Sequence, residues 1–580
     1  MLGGQKQKLV CRVFIVLLSF TRNLSLMTLS RLATAAVAVV TTAPVASLGV
    51  SPACAAESRH SGPKNIIYMI GDGMGYGHLA LTNLYETGQS KYLVDGAFGD
   101  ENLKEMDGEP VQSYEEFNRL SMATFPMGGS YDPEQAWKTH EYVMEGKITD
   151  SAAAGSAMAT GVKTNNGILG MSHYGMKEEN MSERAKKQGK SAGVVSSVAY
   201  SEAAPAAWAA HNMDRDKLQD ITKEMLNSDL DLVMAAGHPF YNNDHEKLET
   251  PDYSFIYEED YAKLSEGKTD WNYFESNDDF KSMANGDVEP DKKYWGIAQV
   301  GSTLQNSRTG EAEAPYSDEL NDVVDLPTMT TGALNALGQD EDGFSVMIEG
   351  GAIDWAGHGN NPVRDIEETQ DFNKAVDAAI EWVEKNSSWE ETLLIVTADH
   401  ETGYLSGANE VPTEKNPQAD NKFNAMEGAK DEVARHGWYS GQHTNQLVPF
   451  FFKGDGAEDI KAHAAGTDPV RGDFIDNTTV ANLVFDEWWS NDAAKPSEDS
   501  TTEQSPQPAP SEDNKPSEPS KEPKPGKDAG SSKNFGAGVA TGMGILAAVV
   551  AALAAFAQQT GLVNVNVKAL TQLAQRVGLR

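Results

Sequence analysis

The sequence predicts an α/β fold: a central, mostly parallel sheet flanked by helices on both faces, with an insertion near the functional site. Two observations carry this expectation. Between about Glu57 and Trp489, short apolar runs ("NIIYMI", "SAGVVSSVAY", "FSVMIE", "TLLIVTAD", "VPFFFKG") alternate with helical patterns such as "IEETQDFNKAVDAAIEWVEKN". Continuous apolar runs suit strands covered on both sides, and their alternation with helices is the pattern of parallel sheets. Several runs also end in acidic or histidine residues, and in open α/β sheets the carboxyl ends of the strands form the ligand crevice.

Along the chain, residues 1–56 read as an export signal. They hold five Lys/Arg and no acid, and Arg31 precedes "LATAAVAVVTTAPVASLGV" and the small residues "ACAAES". This places cleavage near Ala55 or Ala56, with Met27 as a second candidate start. Residues 57–490 form the globular domain. Within it, about 227–325 is acidic, aromatic and less periodic, and reads as an insertion beside the site rather than a second sheet. From 491 to 534 Pro, Ser, Glu and Lys dominate, which predicts an extended, disordered linker. Residues 535–557 are 23 residues without a charge. As a helix they span ~34 Å at ~1.5 Å each, enough for a bilayer core of ~30 Å. The tail, 558–580, carries Lys568, Arg576 and Arg580 and no acid, which predicts a cytoplasmic end. Together these segments describe an exported protein anchored at the cell surface, with its globular domain outside.

The net charge of −39 argues against a nucleic-acid partner and for a solvated, self-repelling surface. The only cysteines, Cys11 and Cys54, lie in the leader. The mature chain therefore has neither disulfides nor thiolate chemistry. A homodimer is compatible with this reading.

The chemistry gathers at strand ends. "IIYMIGDGMG" delivers Asp72, "VVSSVAYSE" Glu202, "SVMIEGGAIDWAGH" Glu349, Asp354 and His358, and "LLIVTADHE" Asp399 and His400. Carboxylates this close repel unless cations neutralise them. Asp, Glu and His suit Zn²⁺, and the oxygen-rich part suits Mg²⁺. Asp354 and His358 at i, i+4 share one face of a helical turn. One more imidazole is wanted; His443 in "SGQHTNQ" sits before a strand, and His436 competes without that context. Separately, Asp150 and Ser151 in "KITDSAAAGSAMATGVKTNNG" read as a helix start. The small residues that follow make a thin helix, expected to press close to the sheet, and its N–H groups and dipole make a place for an anion.

These pieces, with "EAAPAAWAAHNMDR", "TADHETGY" and "SGQHT", resemble the alkaline phosphatases across the whole globular part and in that family's order. The resemblance implies a phosphomonoesterase that works through a phosphoserine on Ser151. It implies one zinc on Asp354, His358 and His443, and a second on Asp72, Asp399 and His400 with Ser151. A third site, usually Mg²⁺, would use Asp72 and Glu349. Arg215 would clamp the phosphate, with Asp150 beside it. Two positions depart from the family. Ala204 stands where a Thr ligand of the third metal is usual, so Glu202 becomes the candidate replacement and Mg²⁺ or Ca²⁺ the expected ion. Trp355 stands where some relatives carry Lys or His, and is expected to wall or stack on the substrate. The alternatives are a phosphodiesterase or other hydrolase of the superfamily, or a surface protein that binds phosphate without turnover.

Overall fold

The computed structural model describes residues 62–310, 312–409 and 421–490. The expected signal peptide, linker, membrane helix and basic tail, with Cys11 and Cys54, lie outside the described residues. No helix among the described residues is long and apolar enough to cross a membrane.

Among the described residues, eleven strands form one mixed, mostly parallel sheet. In chain order they are β1 (Asn65–Gly71), β2 (Asn118–Ala123), β3 (Ser191–Ala199), β4 (Leu232–Ala236), β5 (Trp271–Phe274), β6 (Lys293–Ile297), β7 (Phe344–Gly350), β8 (Thr392–Thr397), β9 (Val448–Gly454), β10 (Gly466–Asp468) and β11 (Gly472–Asp476). Their spatial order is β10-β11-β2-β9-β8-β1-β7-β3-β4-β6-β5. Only β9 and β10 run against the rest. The central strands β1, β3, β7 and β8 are buried along their whole length, which is why they read as largely apolar runs, broken in β3 and β7 only by small polar residues and Glu349.

The helices that matter for the site are α1 (Tyr76–Thr87), α2 (Ser151–Thr160), α3 (Ala203–Ala207), α4 (Leu218–Leu226), α5 (Ala352–His358) and α6 (Pro362–Asn386). Both faces of the sheet are covered. Phe344 and Gly350 of β7 face Trp382 and Phe372 of α6. Tyr68 of β1, level with Met347 of β7, faces Trp208 just after α3 on the opposite side. Alternation along a strand sends neighbouring side chains to opposite faces, so one central strand contributes to both layers.

Two expectations need correction. The stretch 227–325 is not set apart from the sheet: β4, β6 and β5 extend its edge, all parallel. These strands are only four or five residues long, and β5 and β6 are partly exposed, so neither shows as an apolar run. The thin helix α2 presses against α3. A Cβ on Gly155 would lie 3.1 Å from Ala207 Cβ and 3.7 Å from Ala204 Cα.

Candidate active site

The neighbours β8, β1, β7 and β3 are parallel, so their carboxyl ends share one rim. Asp72 follows β1, Glu349 sits near the end of β7, Asp399 follows β8, and Glu202 follows β3. Asp354 and His358 come from α5, immediately after β7, and His443 from a two-residue strand, His443–Thr444, that precedes β9 and pairs with Glu401–Thr402. Asp72, Ser151, Glu349, Asp354, Asp399 and His400 are buried; His358 is exposed.

Hydrogen bonds set the imidazoles. His358 Nδ1 donates to the Gly441 carbonyl (2.8 Å) and His443 Nδ1 to the Thr149 carbonyl (2.9 Å). A carbonyl only accepts, so each neutral ring keeps its proton on Nδ1 and presents a lone pair at Nε2. Those two Nε2 atoms are 3.0 Å apart. Asp354 oxygens lie 3.3 Å from that of His443 and 3.4 Å from that of His358. His400 is set the same way: the Thr402 hydroxyl donates to Asp354 Oδ1 (2.5 Å) and so accepts from His400 Nδ1 (3.2 Å). Its Nε2 then faces Ser151 Oγ at 3.0 Å, Asp399 Oδ2 at 3.1 Å and Asp72 Oδ1 at 3.6 Å. Lone pairs and carboxylates converging without protons between them are what a cation resolves, and ring orientation by a carbonyl or hydroxyl on the far nitrogen is the usual support of a metal-binding histidine.

The donors fall into two groups with ligand atoms within 4.8 Å of one another: Asp354, His400 and His443, and Asp72, Asp399 and His400. His358 joins the first through its contacts with His443 and Asp354. His400 stands between the groups, its ring stacked on that of His443 at 3.6 Å. Two buried oxygens, Asp72 Oδ1 and Asp399 Oδ2, have no hydrogen-bond partner. Orphaned buried carboxylate oxygens are costly unless a cation takes them, so the residues fit the expected metals. Crowding shows in the titration. Burial, then Asp399, Asp354 and Glu349, pushes Asp72 well above the usual range. Burial raises Glu349 to about 8 and Asp399 to about 6. Asp354 goes the other way: burial is outweighed by His443, His400 and His358, which hold its carboxyl down.

Ser151 opens α2, a helix buried at every position. Asp150 caps it, Oδ1 accepting from Ala153 N–H at 2.9 Å. Its other oxygen accepts from Gly167 N–H (2.8 Å) and from Arg215 Nη1 (3.3 Å). Arg215 Nη2 also lies 3.9 Å from Glu202. The guanidinium is thus held from two sides beside the nucleophile candidate.

The remaining expected residues distribute as follows. Glu349 accepts from the Ser196 hydroxyl, which register places level with it on β3. Glu202 is in neither ligand group and lies nearest Arg215. Ala204 is fully buried, and Ser201, also buried, has an unpartnered hydroxyl. Trp355 is half-buried on α5. His436 bonds the Ala434 carbonyl (2.7 Å) and belongs to neither group, whereas His443 lies in the first. Sequence reasoning missed Thr402 and Ser196. Thr402 was findable, since two residues beyond His400 in an extended segment share its side. Ser196 needed the strand register.

A family model described as alkaline phosphatase matches residues 63–485. The chain belongs to the alkaline phosphatase family. Among known alkaline phosphatases, it is 27% identical to alkaline phosphatase 4 of Bacillus subtilis over 485 residues, covering 73% of this chain and 88% of that protein. It is 26% identical to alkaline phosphatase of Escherichia coli over 407 residues, covering 63% of this chain and 75% of that one. Of solved structures, alkaline phosphatase from the Antarctic bacterium TAB5 aligns with a TM-score of 0.50 at 22% identity, over 74% of this chain and all of that one. A variant of the TAB5 alkaline phosphatase with Mg bound in its M3 site aligns equally well, with a TM-score of 0.50 at 21% identity over 75% of this chain and all of that one. These two likenesses support the fold. As an alkaline phosphatase the chain is a phosphomonoesterase of a metal-dependent family.

Proposed function

We propose that this alkaline phosphatase acts through a phosphoserine on Ser151, with zinc in both ligand groups and a third, hard cation beside them. The observation that carries the reading is the Ser151 hydroxyl at the start of α2, 3.0 Å from His400 and next to Arg215 held by Asp150. Bound cations supply positive charge to the attacking and leaving oxygens of an in-line displacement. Ser151 Oγ forms the new bond to phosphorus as the ester oxygen leaves. Water then cleaves the phosphoserine, and the covalent step divides one difficult reaction into two. Arg215 presents a planar fork to the equatorial oxygens, which a lysine cannot match. Trp355, beside Asp354, walls the substrate. Asp72 and Glu349 hold the third cation, Mg²⁺ or Ca²⁺, with Glu202 closing the set in place of the hydroxyl absent at Ala204.

The test is p-nitrophenyl phosphate hydrolysis before and after chelation, with Zn²⁺ and Mg²⁺ restored separately. Activity should vanish on chelation and need both ions to return. Ser151→Ala should lose several orders of magnitude in kcat with its fold intact. Acid-trapped phosphoprotein carrying its phosphate on another residue would overturn the assignment.

We also propose a cell-surface location, supported by the basic, apolar leader and the uncharged run 535–557 ahead of a basic tail. Full-length protein should stay with membranes through a carbonate wash; release into the wash would remove the anchor.

A further inference from the structure

Beneath the ligand groups lies a buried ion pair that the chemistry above does not use. His78 of α1 and Asp365 of α6 are both fully buried, with His78 Nδ1 and Asp365 Oδ1 2.5 Å apart. His78 Nε2 donates to the Thr402 carbonyl at 2.8 Å and faces Glu401 at 3.6 Å. Burial alone would lower the imidazole's pKa; Asp365 and then Glu401 outweigh it and raise it to about 10. The ring therefore stays protonated and donates from both nitrogens.

The pair joins three of the segments that carry the candidate ligands. α1 follows Asp72, α6 follows Asp354 and His358, and Thr402 follows Asp399 and His400. Thr402 transmits the contact. Its hydroxyl donates to Asp354, of the first group, and accepts from His400, which stands between the two. Its backbone N–H donates to the Gly73 carbonyl at 3.0 Å, next to Asp72. α5 lies flat on it: a Cβ at Gly357 would sit 2.9 Å from the Thr402 carbonyl oxygen.

We propose that His78 and Asp365 are positioning residues, whose grip on the Thr402 carbonyl sets the Thr402 hydroxyl between Asp354 and His400 and so fixes the spacing of the two metal sites. This rests on the reading of those groups as zinc sites. A pair serving only to join helices would have no need to reach residue 402, whose side chain hydrogen-bonds both Asp354 and His400.

The test uses full-length protein, stripped of metal, with zinc affinity read by competition with a chromogenic chelator. Thr402→Val and His78→Leu should each weaken zinc binding by roughly 10- to 100-fold, the scale for losing an outer support of a ligand. Thr402→Ser, which keeps the hydroxyl, should restore it. The double variant should bind no worse than Thr402→Val alone, because the two act in series. Zinc affinity at the parent value in His78→Leu, even with a lowered Tm, would overturn the proposal, as would additive losses in the double variant. Should His78→Leu not fold, Asp365→Asn replaces it in the same assay, and unchanged affinity there overturns the proposal equally. A parent protein that binds no zinc would overturn both this inference and the zinc reading it rests on.

Discussion

At the scale of single residues, the site is a problem in lone pairs. Four carboxylates and three imidazoles crowd one rim, and the far nitrogens of the imidazoles are spoken for by two carbonyls and a hydroxyl. That leaves their near nitrogens as acceptors facing acceptors, an arrangement that a cation relieves. Glu202 is the residue whose role the rest of the site decides. Its charge reaches Glu349, yet its carboxylate lies 3.9 Å from Arg215. Replacement by Ala should raise the Mg²⁺ or Ca²⁺ concentration required for activity, and adding Ala204→Thr should partly restore it. An unchanged metal requirement with a raised KM would instead make Glu202 a brace for Arg215. Titrating the activity of metal-stripped enzyme against each ion separates the two.

At the scale of elements, the place of Ser151 depends on how closely two short helices approach. α2 is made of Ala, Gly, Ser, Thr and one Met, and it meets α3, nearly all Ala, at van der Waals contact. Bulk at Gly155 would push α2 from α3 and move Ser151, its first residue, relative to His400. Gly155→Val should cost about 1–3 kcal/mol, the usual range for overpacking, and lower kcat. Chemical denaturation and steady-state kinetics check the pair of effects; a variant of parental stability and kcat would show that the contact is not tight. The same packing explains a limit of pattern reading. Small residues announce that something comes close, but not whether it is a sheet or another helix. The strands β5 and β6 at one end of the sheet were hidden for a related reason: strands only partly covered carry polar residues where a central strand cannot.

At the scale of the whole molecule, buried acids outside the site set how stability responds to pH. Glu368 on α6 is buried, and burial, then Asp371 and Glu367, raises its carboxyl from 4.5 to about 8. Folded protein therefore holds a proton that the unfolded chain releases. The resulting stability is fully present below pH 4.5, shrinks as pH rises, and is gone above about 8. Glu368→Gln mimics the protonated form and should flatten that decline, gaining on the parent by at most about 1.4 kcal/mol per pH unit within the window. Unfolding free energies at pH 5 and pH 9 test this; a difference between variant and parent that does not grow with pH would show that Glu368 is ionised throughout.

The sequence by itself determined the fold class, the family and the list of candidate site residues, because each is written in local pattern. Unbroken apolar runs mean covered strands, and short motifs at their ends place Asp72, Glu349, Asp399 and His400 on one rim whatever the remaining topology. Ser151, Asp354, His358 and His443 were legible for the same reason, each lying in a short motif with its own cap, helical spacing or strand-edge context. Tertiary structure alone decided which groups come within reach of one another, and which groups steady them. Ser196 meets Glu349 only through strand register, Glu202 meets Arg215 across α3 and the loop before α4, and His78 meets Asp365 and Thr402 across sequence separations of 287 and 324 residues. Hydrogen bonds of that range leave no periodicity in the chain, because their geometry is set by how layers pack rather than by any segment's own conformation.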